Sequence, residues 1–147
     1  MALPSEQVAI LATIDPDVTA ASTVISDYVS LADFGDVMAV IMCGTLGASA
    51  TVDAKLRQAT DSSGTGVKDI TGKAITQLTQ AGTDASDKQA IINCAASELD
   101  VANSFTHVSL SLTVGTATSD IGAIVLGLNP RIGTAADSDL ASVDEIV

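Results

Sequence analysis

The feature that most constrains the fold is a strict alternation of apolar and hydroxylated residues late in the chain. Residues 106–130 read THVSLSLTVGTATSDIGAIVLGLNP. The apolar positions are Val108, Leu110, Leu112 and Val114, and the hydroxylated ones are Ser109, Ser111 and Thr113. A period of two places these sets on opposite faces of a β-strand. Turn-forming residues follow at 115–122, and 121–128 is apolar on both faces. The stretch predicts a hairpin of one half-covered and one buried strand, with Leu110 and Leu112 in the core.

Further short runs with strand character recur along the chain, separated by turns rich in Gly, Asp, Ser and Thr. They are 22–32, 37–43, 50–59, 67–71, 74–78 and 88–96. The run 37–43 is apolar on both faces, which predicts a central buried strand, while 88–96 has a short helix as its alternative. About eight strands at this spacing favour an all-β sandwich or barrel. We predict a single β-sandwich that is jelly-roll-like.

The predicted sandwich spans 22–130 and is flanked by an N-terminal arm, 1–21, and an acidic C-terminal arm, 131–147. The first is interpreted as an extended arm or an edge strand, with one helical turn as the other option. It packs either on another subunit or on its own sandwich. The second is a disordered tail or a segment ordered by a partner. A segment ordered by a partner is an open option because four apolar residues lie at near-helical spacing, namely Leu140, Val143, Ile146 and Val147.

The composition limits which classes of partner the chain can bind. The chain has 147 residues, 18 acidic and 6 basic side chains and a net charge of -12, with no Lys or Arg before Lys55. Nucleic-acid affinity comes largely from basic side chains and stacking aromatics, and only 2% of this chain is aromatic. We expect no nucleic-acid binding. No apolar run approaches about 18 residues, so no membrane-spanning helix is expected. The early Glu6 and the absence of early basic residues argue against a signal peptide.

A search for chemistry finds no catalytic pattern. His107 opens the alternating strand and is interpreted as structural or interfacial. No G-x-S-x-G elbow occurs, and the glycine-rich segment 64–68 lacks both phosphate-loop patterns. Cys43 and Cys94 match no zinc spacing and are interpreted as buried, reduced thiols, with a disulfide or reactive thiol as the alternative.

Two acidic pairs and one charged stripe complete the candidates. Asp15 with Asp17, or Asp84 with Asp87, could hold calcium with loop carbonyls, but turn capping is the favoured role. The stripe consists of Asp53, Lys55 and Arg57, and is interpreted as a solvated face. We therefore predict no catalytic, cofactor-binding or metal site, no cofactor, and no enzyme activity.

Three segments carry a family resemblance: ATVDAKLRQATDSSGTG at 50–66, KDITGKAITQL at 68–78 and FTHVSLSLTVGTA at 105–117. They resemble small β-rich proteins encoded among the head genes of tailed bacteriophages, the capsid decoration (cement) proteins. The resemblance covers about 36–130. It implies a trimeric or otherwise symmetric homo-oligomer that binds the major capsid protein on the outer surface of the virion, after assembly in the host cytoplasm.

Two function classes follow. The first is a structural virion protein that stabilises an icosahedral head across the seams between capsomers, with arms 1–21 and 131–147 contacting neighbours. The acidic charge suits the outer surface rather than the DNA-filled interior. The second is a virion-surface or tail-associated binding module that recognises a host glycan or protein through loops 60–66 and 80–87. The scarcity of Tyr and Trp counts against the second class.

Overall fold

A computed structural model describes residues 2–147, which form ten antiparallel strands and four short helical turns. The turns are α1 (Pro4–Gln7) and three 3-10 turns, Ala96–Glu98, Val101–Asn103 and Ala135–Ser138. The strands are β1 (Val8–Thr19), β2 (Ser22–Ile25), β3 (Val29–Ser30), β4 (Phe34–Cys43), β5 (Thr51–Ala59), β6 (Lys68–Ala74), β7 (Leu78–Thr79), β8 (Gln89–Ala95), β9 (His107–Gly115) and β10 (Ser119–Pro130).

The strands make two sheets. Sheet A has the order β1-β10-β4-β8, and sheet B has the order β2-β9-β5-β6, with β3 beside β9 and β7 beside β5. The fold is a jelly-roll-like β-sandwich, which confirms the predicted class. None of the helices among residues 2–147 has the length and apolarity that crossing a bilayer requires.

The core lies between the sheets and is built almost entirely from aliphatic side chains. On β9 the alternating residues Val108, Leu110, Leu112 and Val114 all point inward, and Leu110 and Leu112 are 0% exposed. Leu110 stands opposite Leu56 of β5, which is also fully buried. The predicted inner face of this strand is confirmed, because the pleat forces every second side chain to the same side.

The predicted hairpin at 106–130 is wrong. Strand β9 pairs with β2, β3 and β5 in sheet B, whereas β10 pairs with β1 and β4 in sheet A. Most consecutive strands switch sheets in the same way, including β4 to β5 and β8 to β9. Switching places the apolar faces of β9 and β10 opposite one another, so that each covers the other across the sandwich. A hairpin would have left them side by side.

Two other strand predictions need correction. The run 22–32 splits into β2 and β3 at the buried Ser26, whose hydroxyl accepts a hydrogen bond from the Leu110 backbone N–H at 2.9 Å. A side chain there replaces a backbone acceptor of the ladder. No strand spans 74–78, because Ala74 ends β6 and the next pairing, at Leu78, opens β7 on β5.

The N-terminal segment is not a free extended arm, and it adopts both of the other predicted conformations. It forms the helical turn α1 and then the edge strand β1, which pairs with β10 through two register shifts. The second shift lies between Ile14 and Asp17, so Asp15-Pro16 makes an irregularity in the strand rather than its end. Residues 8–19 are therefore part of sheet A. Whether 1–21, 22–130 and 131–147 behave as separate units stays a prediction.

The first half of the C-terminal segment lies along the free edge of β1. Asp139 accepts a hydrogen bond from the Ile10 backbone N–H at 2.6 Å, and the Leu140 N–H donates to the Ile10 carbonyl at 3.0 Å. Ala135 is fully buried beside them. These contacts satisfy backbone groups that an edge strand otherwise offers to other chains. Residues 131–140 are thus ordered on their own sandwich, and Ile146 and Val147 beyond them are exposed.

Candidate functional site

The charged stripe predicted on β5 is an ion-pair network on the outer face of sheet B. Asp69 of β6 bridges two bases: its carboxylate lies 2.9 Å from Lys55 Nζ and 3.2 Å from Arg57 Nε. Gln77 donates to Asp53 at 2.7 Å. The Lys55 ammonium, followed by Arg57, lowers the pKa of Asp69 below its usual value. The favoured interpretation as a solvated face agrees with this exposed geometry.

Other basic side chains are neutralised locally as well. Lys68 pairs with Asp100 at 2.5 Å and stands 4.2 Å from the Phe105 ring centroid, while Lys73 pairs with Glu98 at 3.0 Å. Within residues 2–147, four of the six basic side chains are therefore ion-paired with carboxylates. The excess acidic charge consequently dominates the field around the molecule, which disfavours phosphate backbones.

The glycine-rich loop 60–66 is closed by its own acid. Asp61 accepts hydrogen bonds from the backbone N–H groups of Ser63 at 2.9 Å and Thr65 at 3.0 Å, and the bonds from Thr65 contribute most to lowering its pKa. Backbone N–H groups are what a phosphate-binding loop presents to an anion. Here a carboxylate already occupies them, which explains the loop without a ligand.

The two loops proposed for host recognition lie at opposite ends of the sandwich. Loop 60–66 follows the end of β5, next to Thr106, whereas loop 80–87 is bonded to Ala50, just before β5 begins, and to Gly44, just after β4 ends. A nine-residue strand separates them, a distance of about 30 Å. The structure does not bring the two loops into one recognition surface.

The acidic pairs considered for calcium act within their own segments. Asp84 accepts a hydrogen bond from the Thr79 N–H at 3.1 Å, as a turn-capping residue does, and Asp17 accepts one from Val18 at 2.7 Å. Across the part of the chain that the structure describes, no three His, Cys, Asp or Glu side chains converge on one point. His107 is half-buried, and its Nδ1 lies 2.8 Å from the Thr106 hydroxyl.

The hydroxylated face of β9, which is the uncovered side of the predicted half-covered strand, is largely covered within the single chain. Ser109 is 0% and Ser111 is 6% exposed, so neither offers an open surface. The face is flanked by Lys55 and Arg57, which stand opposite Ser111 and Ser109 in the ladder. Tyr28 extends from the β2–β3 connection as far as Gly64 in the loop after β5. Long side chains from neighbouring elements thus cover small ones, which the period of two alone does not reveal.

The contact between Tyr28 and Gly64 is testable. A Cβ at Gly64 would lie 2.7 Å from Tyr28 Cε2, and the backbone there has φ +80°. Gly72 has a similar φ of +75° but open space around it, so it is a matched control. We expect Gly72→Ala to cost about 1 kcal/mol for the left-handed backbone, and Gly64→Ala to cost about 1 kcal/mol more because the ring is displaced. Urea unfolding measures both. Equal costs would show that the contact contributes nothing.

Both cysteines are buried and unbonded, as the favoured interpretation predicts. Cys94 stands opposite Val37, six residues along β4 from Cys43, a separation of about 20 Å. Burial, with a further contribution from Glu98, raises the pKa of Cys94 to about 11, and burial also raises the pKa of Cys43. Neither thiol is poised as a nucleophile, since reactivity requires the thiolate.

The raised pKa of Cys94 predicts a loss of stability at alkaline pH. A group whose pKa is higher in the folded state stabilises fully below its unfolded pKa, which for cysteine is about 8.5. We therefore expect the free energy of unfolding to fall by about 2 kcal/mol between pH 8 and 10 through this residue. Cys94→Ala, although less stable at pH 8, should show a shallower decline in the same urea titrations. Identical pH slopes would contradict the prediction.

The outer face of sheet A is the surface that the sequence interpretation missed. Strands β4 and β10 are apolar on both faces and were predicted to be buried, yet each has only one face in the core. The apolar face of sheet A, as we name it, comprises Val8, Ile10, Met38, Val40, Met42, Ile91, Ile124, Leu126 and Leu128. Met42 is 56% and Ile91 57% exposed. The continuous apolar runs were the available signal.

These side chains are neighbours across the sheet. Ile10, Leu126 and Met38 share one row, and Val40 stands between Ile124 and Ile91 in the next. At one end of the face, Pro16, Val18, Met42 and Gly122 line an open cavity of about 500 Å³. Charged side chains stand at the ends, with Asp36, Lys73 and Glu98 around one end and Asp17 and Asp120 beside the cavity at the other.

No protein-family model matches this sequence. No curated protein sequence matches it either.

Chains from the solved structures of three viruses have a partly similar arrangement of strands. A chain of Broad Bean Stain Virus has a TM-score of 0.44 and 14% identity, covering 91% of this chain and 93% of that one. A chain of infectious bursal disease virus, Gt strain, has a TM-score of 0.48 and 10% identity, covering 88% of this chain and 35% of that one. A chain of the Cowpea Mosaic Virus empty virus-like particle has 0.44 and 11%, covering 91% and 87%. Because these TM-scores are below 0.5 and the identities are 14% or less, the similarities carry no argument about this chain.

Proposed function

We propose that this chain is a structural virion protein, a capsid decoration protein that binds the outer surface of an icosahedral phage head and stabilises it across capsomer seams. One observation carries the proposal: the segments that resemble decoration proteins, 50–66, 68–78 and 105–117, fold into the adjacent strands β9, β5 and β6 of sheet B. A resemblance scattered over the sequence thus corresponds to one continuous part of the sandwich.

The charge supports an outer location. The interior of a filled head holds packaged DNA, and a chain with a net charge of -12 and mostly ion-paired bases is repelled there. Such a protein needs no active site. It binds the assembled shell but not its dissociated subunits, and therefore stabilises the shell by mass action. The major capsid protein is the proposed partner, and a symmetric homo-oligomer, with the trimer favoured, is the proposed state on the shell.

The terminal segments are the proposed contacts with neighbours. They meet at one edge of sheet A, where Ala135–Ser138 packs on α1 and β1. Leu3, Ile132 and Ile146 are exposed there or nearby, at 58%, 80% and 52%. A protein that joins capsomers needs such accessible apolar groups at an edge rather than in a closed core.

The decisive experiment mixes purified protein with heads that lack it. We expect co-sedimentation with the heads and a rise in their melting temperature. Failure to bind, or binding without a rise, would refute the proposal.

The structure sharpens the accompanying deletions. Removing 1–21 would remove strand β1, and removing 131–147 would uncover its edge, so both would disturb folding. Deleting 1–7 or 141–147 instead spares β1 and the contacts of Asp139 and Leu140 with Ile10. We expect either short deletion to leave the unfolding transition cooperative and to weaken binding to heads. Normal binding by both variants would exclude the terminal segments as contacts.

A further inference from the structure

We propose that the apolar face of sheet A is the interface between two copies of this chain in solution, packed sheet against sheet. The inference goes beyond the proposed function, because it concerns the free protein and is independent of any capsid. It starts from the contrast between the outer faces of the sandwich. Sheet B presents an ion-pair network, whereas sheet A presents aliphatic and methionine side chains along β10 and β4, with the uncharged Thr13 and Asn93 at the sides of the two central rows.

A soluble antiparallel sheet with one face on the core normally shows polar residues on the other face. Strands β4 and β10 break that rule from Met38 to Met42, where the outer positions Met38 and Val40 stand opposite Leu126 and Ile124. Met42 and Ile91 leave more than half of their surface in water. A contiguous apolar surface of this kind marks an interaction site.

The size of the face suits a second copy. Four strands about 4.8 Å apart and a ladder of about 27 Å give a face of about 500 Å². Two copies would then bury about 1,000 Å² in total, which reaches the lower bound for a specific interface. Sheets stack face to face at about 10 Å with aligned strands, the same packing that forms the core of this sandwich.

The charge distribution selects the same occupant. Each chain carries -12, so the contact between two copies that costs least in electrostatic free energy is one through uncharged surface. The centre of this face has no charged side chain, and Asp36 and Asp120 stand only at its ends. A basic partner would find no carboxylate to pair with in the centre. An uncharged face is complementary to itself, as a two-fold contact requires.

This geometry makes a dimer and not a trimer. A face-to-face contact is isologous and closes with two subunits. The trimer implied by the family resemblance would need a second, different patch on each subunit. The oligomeric state in solution therefore distinguishes the two arrangements directly.

Salt should strengthen the association. Bringing two acidic chains together costs electrostatic free energy, and higher ionic strength screens that repulsion. A complex held by opposite charges would weaken instead. We expect the dimer dissociation constant to decrease between 50 mM and 500 mM NaCl.

Sedimentation equilibrium of the full chain at about 5 to 200 µM tests the proposal, with three lysine variants. Met42→Lys and Ile91→Lys each place a charge in the proposed interface at a position that is water-exposed in the single chain. Ile25→Lys is the matched control, since Ile25 is 46% exposed on the outer face of sheet B. Thermal unfolding confirms that all three fold.

We expect the unsubstituted protein and Ile25→Lys to dimerise alike, and both interface variants to raise the dissociation constant at least about tenfold, because an unpaired charge would be buried. A monomer throughout the range, a trimer unaffected by Met42→Lys, or equal effects of Ile25→Lys and Met42→Lys would each overturn the proposal. The same variants are also tested for binding to phage heads. That assay distinguishes failure of the dimer proposal from failure of the proposed function.

Discussion

Replacing Phe34 with alanine is expected to lower the free energy of unfolding by about 3–5 kcal/mol, the largest effect of any single substitution considered. Phe34 opens β4, is 2% exposed, and is the most deeply buried of three aromatic residues in an otherwise aliphatic core. Its ring lies against Gly127 of β10, where a Cβ would come within 2.9 Å of Phe34 Cδ1 and 2.8 Å of Leu11 Cδ1. Urea unfolding measures the loss.

Gly127→Ala provides the complementary measurement. The added methyl group overpacks the same site and is expected to cost about 1–3 kcal/mol by itself. In the double variant the methyl group enters the cavity that Phe34→Ala creates, so its cost should largely disappear. A double-mutant cycle then gives a coupling energy that opposes the single effects. Additive costs would mean that Phe34 and Gly127 do not contact each other.

Leu110→Ala and Leu112→Ala are each expected to cost about 2–5 kcal/mol, because truncation leaves a cavity that the surrounding strands fill only partly. Both leucines are 0% exposed on the inner face of β9, the central strand of sheet B. Leu110 also faces the fully buried Leu56 across the ladder, which leaves it no route to rearrange toward solvent. Thermal and urea unfolding should agree in ranking both below the unsubstituted protein.

Ile25→Ala is the matched control for these truncations. Ile25 is aliphatic, belongs to the same sheet and stands opposite Ser111 on β9, but it is 46% exposed. We expect it to cost less than about 1 kcal/mol, mainly through strand preference. If Ile25→Ala were as costly as Leu110→Ala, burial on the inner face of β9 would not be the cause.

The candidate surfaces could be predicted only in part. The stripe Asp53, Lys55 and Arg57 follows from alternation on β5, but its partner Asp69 comes from β6, and only the pairing of the two strands joins them. Loops 60–66 and 80–87 are recognisable from composition. That they lie at opposite ends of the sandwich depends on which end of β5 each one meets.

The apolar face of sheet A shows the same limit. The sequence marks β4 and β10 as apolar on both sides, and burial on both sides is the ordinary inference from such a run. The run itself cannot tell whether the second face meets another part of the chain or another molecule. In residues 2–147 the inner side chains of these strands, such as Ile41 and Val125, are buried, whereas Met42 on the outer face is 56% exposed.

By itself the sequence determined where strands lie and which side chains of β9 enter the core, because alternation is a local property of the pleated backbone. Only the tertiary structure decided that β9 and β10 belong to different sheets, since backbone hydrogen bonds are nearly identical for any pair of strands. It likewise decided that Ser109 is covered while Met42 is open. Alternation along the sequence sets whether a side chain points to the inner or the outer face of a sheet. Whether the outer face is covered depends on residues that are far away in the chain.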